Sequence, residues 1–243
     1  MKMNKTLLVA SILFFGTTVS GCAEMQQVAN QLPGILNQGT GTLDIAGGLK
    51  EALNNGINKQ VVKLTAVDGF YKNQMVKILL PEELQKVDKG LRSIGLSSLA
   101  DEGLKVLNRA AEDAVKEATP IFVDAIKGMT FTDAKNILMG NENSATTYLQ
   151  NSTTTALYGK FNPVIKNSFT KVGADKVWSN IITKYNSIPL VKKVNPDLTD
   201  YTTTKALEGV FKMVAVEEKN IRTDLNARSS DLLKKVFALQ DKK

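Results

Sequence analysis

Lys205-Ala206-Leu207-Glu208-Gly209-Val210-Phe211-Lys212-Met213-Val214-Ala215-Val216-Glu217-Glu218-Lys219-Asn220-Ile221-Arg222 is the stretch on which the fold turns. Leu207, Val210, Phe211, Val214 and Ile221 recur at helical intervals and mark one buried face. The same stripe asks for apolar residues at 217 and 218, and two carboxylates stand there. Glu218 is placed to pair with Arg222 at i,i+4. The stripe predicts that one of the two carboxylates points partly inward, where it needs a partner or becomes neutral. Arg109 is a candidate partner, since Asn108 and Glu112 border the stripe of their own helix. Asn108, Arg109, Glu112, Glu217, Glu218 and Arg222 are therefore read as one polar network or pocket. It admits three readings: a structural ion-pair network, a ligand-binding pocket, or a catalytic carboxylate pair.

Helical spacing continues upstream. Ile45, Leu49, Leu53, Ile57, Val61 and Leu64 mark one helix, followed by the loop Asp68-Gly69-Phe70-Tyr71. The apolar run 75–80 is short enough to be extended, and its length does not decide. Pro81 opens a helix at its first turn, with Leu84, Val87, Leu91 and Ile94 as its face and Gly95 as its end. Leu104, Leu107, Ala111, Ala114, Val115 and Ala118 form the next stripe. Thr119-Pro120 restarts the chain with Phe122, Ala125, Ile126 and Met129 inward. Thr130 and Asp133 stand at capping-box spacing before Ala134, Ile137 and Leu138. Tyr148, Leu149, Leu157 and Phe161 lie in one or two helices interrupted by Pro163. Val164, Ile165, Phe169 and Val172 run on to Gly173. Val177, Trp178, Ile181, Ile182 and Tyr185 make a further stripe, and Leu232, Leu233, Val236 and Phe237 the last. No alternating strand set and no fixed-period repeat appears. The expectation is an all-α fold, a single compact domain of about nine or ten short helices, with Pro163 or residues 187–196 as places where it divides.

The amino terminus reads differently. Lys2 and Lys5 precede the apolar run Leu7-Leu8-Val9-Ala10-Ser11-Ile12-Leu13-Phe14-Phe15, the layout of a secretory leader. That run is far below the roughly 20 residues needed to span a bilayer. Val19-Ser20-Gly21-Cys22 closes it, and Cys22 is the only cysteine of the chain. The expected organisation is a signal peptide over 1–21, removed on export; a lipidated Cys22 and flexible tether over 22–42; and a helical domain over 43–243. A tether of about 20 residues reaches roughly 25 Å by random-coil scaling. A short helix within 25–32 is weakly signalled.

Composition excludes much chemistry. With no histidine, Ser-His and Cys-His nucleophile pairs, imidazole general bases and His-containing zinc sites are ruled out. No cofactor or metal site is expected. Net charge is +7, and losing Lys2 and Lys5 leaves +5, from 29 basic against 24 acidic side chains. The excess is mild and mostly spread-out Lys, with only Arg92, Arg109, Arg222 and Arg228 as arginines. It lacks the concentrated stripe expected of a nucleic-acid binder. Ser168-Phe169-Thr170-Lys171 matches the S-x-x-K nucleophile motif, but its companion motifs are missing. Asp124, opposite Phe122, Ala125 and Ile126, is read as solvated.

Two resemblances add to this. Small residues directly before Cys22 resemble the lipobox of bacterial lipoproteins, which implies a diacylglyceryl thioether on Cys22 and membrane attachment through it. Ala23, rather than Asp, is similar to lipoproteins sent to the outer membrane. Further along stand Gly48-Leu49-Lys50-Glu51-Ala52-Leu53, Leu107-Asn108-Arg109-Ala110-Ala111-Glu112 and Ile121-Phe122-Val123-Asp124-Ala125-Ile126. Met129-Thr130, Asp133-Ala134-Lys135, Ile137-Leu138, Ala145-Thr146-Thr147-Tyr148, Lys205-Ala206-Leu207, Glu217-Glu218-Lys219 and Leu232-Leu233-Lys234-Lys235-Val236-Phe237 follow in order. Together they resemble a family of bacterial exported proteins catalogued as a domain of unknown function. The resemblance implies a helical domain on the periplasmic side and carries no activity. The expected function is a membrane-anchored, non-catalytic module that binds or scaffolds an envelope protein, a polymer or a small ligand. The alternative is a carboxylate-dependent hydrolase working without histidine.

Cys22→Ala is expected to abolish fatty-acid labelling and to move the protein out of the membrane fraction. Metabolic labelling with fractionation checks this, and persistent labelling of the variant would refute it.

Overall fold

Side chains that satisfy free backbone groups mark where several helices begin. The Asp44 carboxylate accepts from the Gly47 N–H at 2.8 Å, at the head of α1 (Ile45–Thr65). Thr130 and Asp133 cap each other's backbone at the head of α5 (Phe131–Leu138), a capping box with Asp as the returning acid. The Thr130 hydroxyl also donates to Asp133 and holds its carboxyl below the ordinary range. Asp197 opens α8 (Leu198–Thr223), and Ser230 opens α9 (Asp231–Phe237). The remaining helices are α2 (Glu82–Ser93), α3 (Ser97–Val115), α4 (Ala118–Lys127), α6 (Ser144–Lys171) and α7 (Ala174–Asn186). A single 3₁₀ turn spans Leu225–Ala227.

This computed structural model describes residues 44–95, 97–187, 189–190, 193 and 197–241. Among them there are nine α-helices and no strand, so the protein is all-α. Leu43–Lys243 form one compact unit. The leader, Cys22, the tether and the weakly signalled helix at 25–32 lie outside the described residues. So do the side chains of Val87, Leu91, Val177, Trp178, Ile181, Ile182 and Tyr185.

Helix α8 is the axis of the fold. It packs against α1, α3, α6 and α7, and α1 in turn touches α3, α4, α5 and α9. Fifteen of its residues are buried, Ala206, Gly209 and Met213 as well as the expected stripe. A helix wrapped on several sides is buried around most of its circumference. Phe122 of α4 meets Phe211 of α8 edge to face, centroids 6.0 Å apart at 87°. Gly209 lets the connector after α1 approach α8, since a Cβ there would lie 2.8 Å from the fully buried Phe70 ring.

The helices are not uniformly short, as α1, α6 and α8 have 21, 28 and 26 residues. Pro163 does not interrupt α6, nor does it divide the domain. A helix-interior proline removes one N–H bond and crowds the carbonyl four residues back. Here that residue is Gly159, and both Gly159 and Pro163 are exposed, so water can serve the freed carbonyl. On the opposite face Leu157, Phe161, Ile165 and Phe169 are all buried, and their continuous burial holds the helix together across the proline. Pro81 stands one position earlier than expected, at the cap of α2, where its carbonyl accepts from Gln85. Ala118 starts α4 rather than extending α3.

Gly209→Ala is expected to destabilise the fold by about 1–3 kcal/mol through overpacking against Phe70. Gly159→Ala, where a Cβ meets nothing within 4 Å, is expected to stabilise by about 0.5–1 kcal/mol through helix propensity. Urea unfolding of both variants checks the opposite signs.

Candidate functional site

The six residues grouped from the sequence resolve into three polar clusters. The first ties the connector between α1 and α2 onto α3. Asn108, wholly buried, treats the backbone of Ile78 as a neighbouring strand would. Its Oδ1 accepts from the Ile78 N–H at 2.8 Å, and its Nδ2 donates to the Ile78 carbonyl at 2.9 Å. Glu112 accepts from the Phe70 and Tyr71 N–H groups at 3.0 and 3.4 Å, and from Arg109 at 2.9 Å. Arg109 continues to Asp68 at 2.7 Å. Asp68 has φ of 66°, a left-handed conformation that Asp tolerates better than most residues. Gly69 follows because a Cβ there would stand 2.4 Å from the Lys63 carbonyl. The Lys72 ammonium, with Arg109 behind it, holds the Asp68 carboxyl below its ordinary range. Stability from that pairing is present above the ordinary carboxylate value and is lost as pH falls through the lowered one.

Arg109 is thus a partner for Glu112 and Asp68 and belongs to a different cluster from Glu217 and Glu218. Moreover, both Glu217 and Glu218 are buried, 5% and 7% exposed, where the stripe predicts one. The reason is the wrapping of α8: neighbouring positions point to different helices, and both directions lead inward.

Glu217 faces α1, where Lys59 and Gln60 each donate to it at 2.6 Å. Gly56 makes the room, since a Cβ there would sit 3.1 Å from the Glu217 side chain. Glu218 faces the corner between α5 and α6. It accepts from the backbone N–H groups of Ala145 and Thr146 at 2.9 and 2.8 Å, and from the Thr146 hydroxyl at 2.8 Å. A carboxylate there meets the positive end of the α6 dipole. Arg222 donates to Glu218 at 2.8 Å, to the Ile137 and Leu138 carbonyls at 2.8 and 3.1 Å, and to Gln240 at 2.7 Å. With its Nε also on Glu218, all five guanidinium N–H donors are used. A cavity of about 20 Å³ adjoins this pair among Leu53, Ile221 and Phe237, room for about one water.

Several partners in these clusters escape a sequence reading. Arg228 caps the end of α8 through the Ile221 and Arg222 carbonyls and pairs with Asp241. That pairing holds the Asp241 carboxyl below its ordinary range. The available signal was the scarcity of arginine: each of the four lies in an ion pair. Gln60 carried a signal too, standing four residues before Leu64 and three after Ile57 on the buried face of α1.

A cleft with lysines in its lining lies elsewhere. It is a groove of about 750 Å³ between residues 75–82 and the outer face of α8, which presents Tyr201, Lys205, Glu208 and Lys212. Along its other wall a turn closed on the Asn73 carbonyl by the Val76 and Lys77 N–H groups leads into residues 77–80, which are neither helix nor strand. Val76, Ile78 and Leu80 are buried, whereas Met75 and Leu79 are 44% and 52% exposed. The Tyr201 hydroxyl donates to the Leu79 carbonyl at 2.8 Å and ties the two walls together. The sequence hid this place because Lys205, Glu208 and Lys212 read as an ordinary solvated face. A second hollow, of about 660 Å³, is lined by Asn136, Asn141, Asn143, Tyr148 and Asn151. Ser168 and Lys171 of the S-x-x-K match lie at the end of α6 around the buried Phe169, and Asp124 is exposed. Among the described residues no group of three or more Asp, Glu, Cys or His gathers as a metal site.

Glu218→Ala is expected to destabilise by about 3–5 kcal/mol, because it strands the buried Arg222 charge. Glu217→Ala is expected to cost less, about 1–3 kcal/mol, since Lys59 is half exposed and recovers water. Urea melts read at one pH check the order, and equal small losses would contradict it.

No curated protein and no solved structure matches the chain. Residues 39–238 match a family model, and that span holds all three polar clusters apart from Gln240 and Asp241. By this match the chain belongs to the family described as Protein of unknown function (DUF4197).

Proposed function

We propose that this protein is a lipid-anchored module of the bacterial cell envelope whose helical domain binds a partner rather than catalysing a reaction. The anchor is Cys22 and the position is the periplasmic side, with the outer membrane favoured by Ala23. The observation that carries the binding reading is the state of the carboxylates. Glu112, Glu217 and Glu218 are each no more than 7% exposed, and each is engaged by hydrogen-bond donors. Glycoside hydrolysis needs two carboxyl groups about 5–9.5 Å apart across an open cleft with substrate between them. Buried carboxylates already committed to backbone N–H groups and cations have no such access. The groove beside α8 is open to solvent, and its lining of lysine, tyrosine and aliphatic side chains with Glu82 and Glu208 is suited to holding a ligand.

The purified protein is expected to show no turnover on peptidoglycan, glycan, ester or peptide substrates. Two carboxylates do line the groove, Glu82 and Glu208. Turnover that disappears in Glu82→Gln or Glu208→Gln, with the fold intact by circular dichroism, would replace the binding module with a hydrolase.

A further inference from the structure

The two walls of the groove repeat with different periods. On the connector, Met75, Lys77 and Leu79 lie outward and alternate with the buried Val76, Ile78 and Leu80. Asn108 fastens this wall by occupying the N–H and carbonyl of Ile78 on the inner edge. On α8, Tyr201, Lys205 and Lys212 succeed one another along one face over about 16 Å. The site is therefore a long trough. An extended segment of about five residues covers its length at roughly 3.3 Å per residue.

Its chemistry is mixed in a particular way. Lys77, Lys193, Lys205 and Lys212 outnumber Glu82 and Glu208. Lys205 and Glu208 pair at 2.7 Å on the surface, a contact that exchanges cheaply for a better one. The Lys77 ammonium lies 4.3 Å from the centre of the Tyr71 ring, a surface contact on the flank of the groove. The same lining carries the exposed side chains of Met75 and Leu79. A purely polar anion leaves these two apolar groups without a partner, and a purely apolar ligand leaves the lysines without one. An extended peptide presents its side chains alternately and so offers both kinds of group along one segment.

We propose that this groove docks an extended segment of a partner protein in which acidic and apolar residues alternate. The proposal rests on the binding-module reading and names its ligand class. Lysines along the trough meet the acidic side chains, Met75 and Leu79 meet the apolar ones, and the adaptable thioether of Met75 accommodates different shapes.

The test uses the purified full chain and three fluorescein-labelled capped peptides: one alternating Glu with Val and Leu, one with Lys replacing each Glu, and one of Glu alone. Fluorescence anisotropy is expected to show saturable binding of the first peptide only, weakening at least about tenfold from low to high salt. Lys205→Glu with Lys212→Glu, and separately Met75→Ser with Leu79→Ser, are each expected to weaken it by about tenfold or more. Circular dichroism and the unfolding midpoint verify that these variants fold. Lys166→Glu with Lys176→Glu, away from the groove, controls for net charge and is expected to bind as the parent does. Failure of the first peptide to bind would overturn the proposal, as would equal binding of the Lys peptide. Equal binding of the all-Glu peptide, unaffected by the Met75 and Leu79 changes, would show a plain polyanion surface and overturn it too. None of these outcomes touches the binding-module reading itself, which falls only on substrate turnover.

Discussion

Between α5 and α6 the chain turns through the exposed residues 140–143, and on either side of that turn the backbone groups of two helix ends leave water together. The last carbonyls of one helix and the first N–H groups of the next have no partners within their own helices. Glu218 and Arg222, one turn apart on α8, supply them from a third helix. The carboxylate takes the N–H groups of Ala145 and Thr146, and the guanidinium takes the carbonyls of Ile137 and Leu138. Each charge also sits at the end of a helix dipole that favours its sign. A buried ion pair alone is weak support for a fold, because desolvation consumes its Coulomb gain. This pair is different in that every donor and nearly every acceptor site is matched to backbone that would otherwise be orphaned. The position of α8 at the centre of the bundle follows, since only a helix in contact with α1, α6 and the α5 corner can present both side chains there.

The same economy governs the other arginines. Arg228 closes the carbonyl end of α8, Arg109 joins Glu112 to the Asp68 turn, and Arg92 bridges α2 to α3 through Asp88 and Asp101. A planar fork of fixed donors suits sites where several acceptors converge, and a lysine ammonium on a flexible stem does not. Lysine, far more abundant here, is left to the surface and to the groove, where charge must stay hydrated and available. The division of labour separates the side chains that hold the fold together from those left at the solvent.

The connector between α1 and α2 links the two. Its inner edge is fastened by Asn108, Glu112 and the close approach of Phe70 to Gly209. That fastening leaves Met75, Lys77 and Leu79 on a rigid outer edge. A wall fastened this way would lose little conformational freedom on docking the segment proposed above, which favours affinity. The groove is therefore a by-product of the structural network beneath it, and changes at Asn108 or Glu112 would reach it indirectly.

Local periodicity determined that the protein is helical, where α1, α5 and α9 run, which residues cap α5, and that Glu217 and Glu218 break an apolar face. These features depend on residues within a turn or two of one another, so they are written in adjacent sequence. The absence of histidine and the lone Cys22 likewise bounded the chemistry by composition. Three things were decided by the tertiary structure. Pro163 lies within a continuous α6 because long-range burial of Leu157, Phe161, Ile165 and Phe169 outweighs one lost hydrogen bond. Glu217 and Glu218 are both interior because α8 is enclosed on several sides, whereas a stripe analysis assumes one buried face. The partners Lys59, Gln60, Ala145, Thr146 and Ile137 lie between about 70 and 160 residues from the charges they meet. Helical spacing carries no information about which distant helix a side chain will face, and it is that packing which turned two stripe-breaking carboxylates into the caps and ties of other helices.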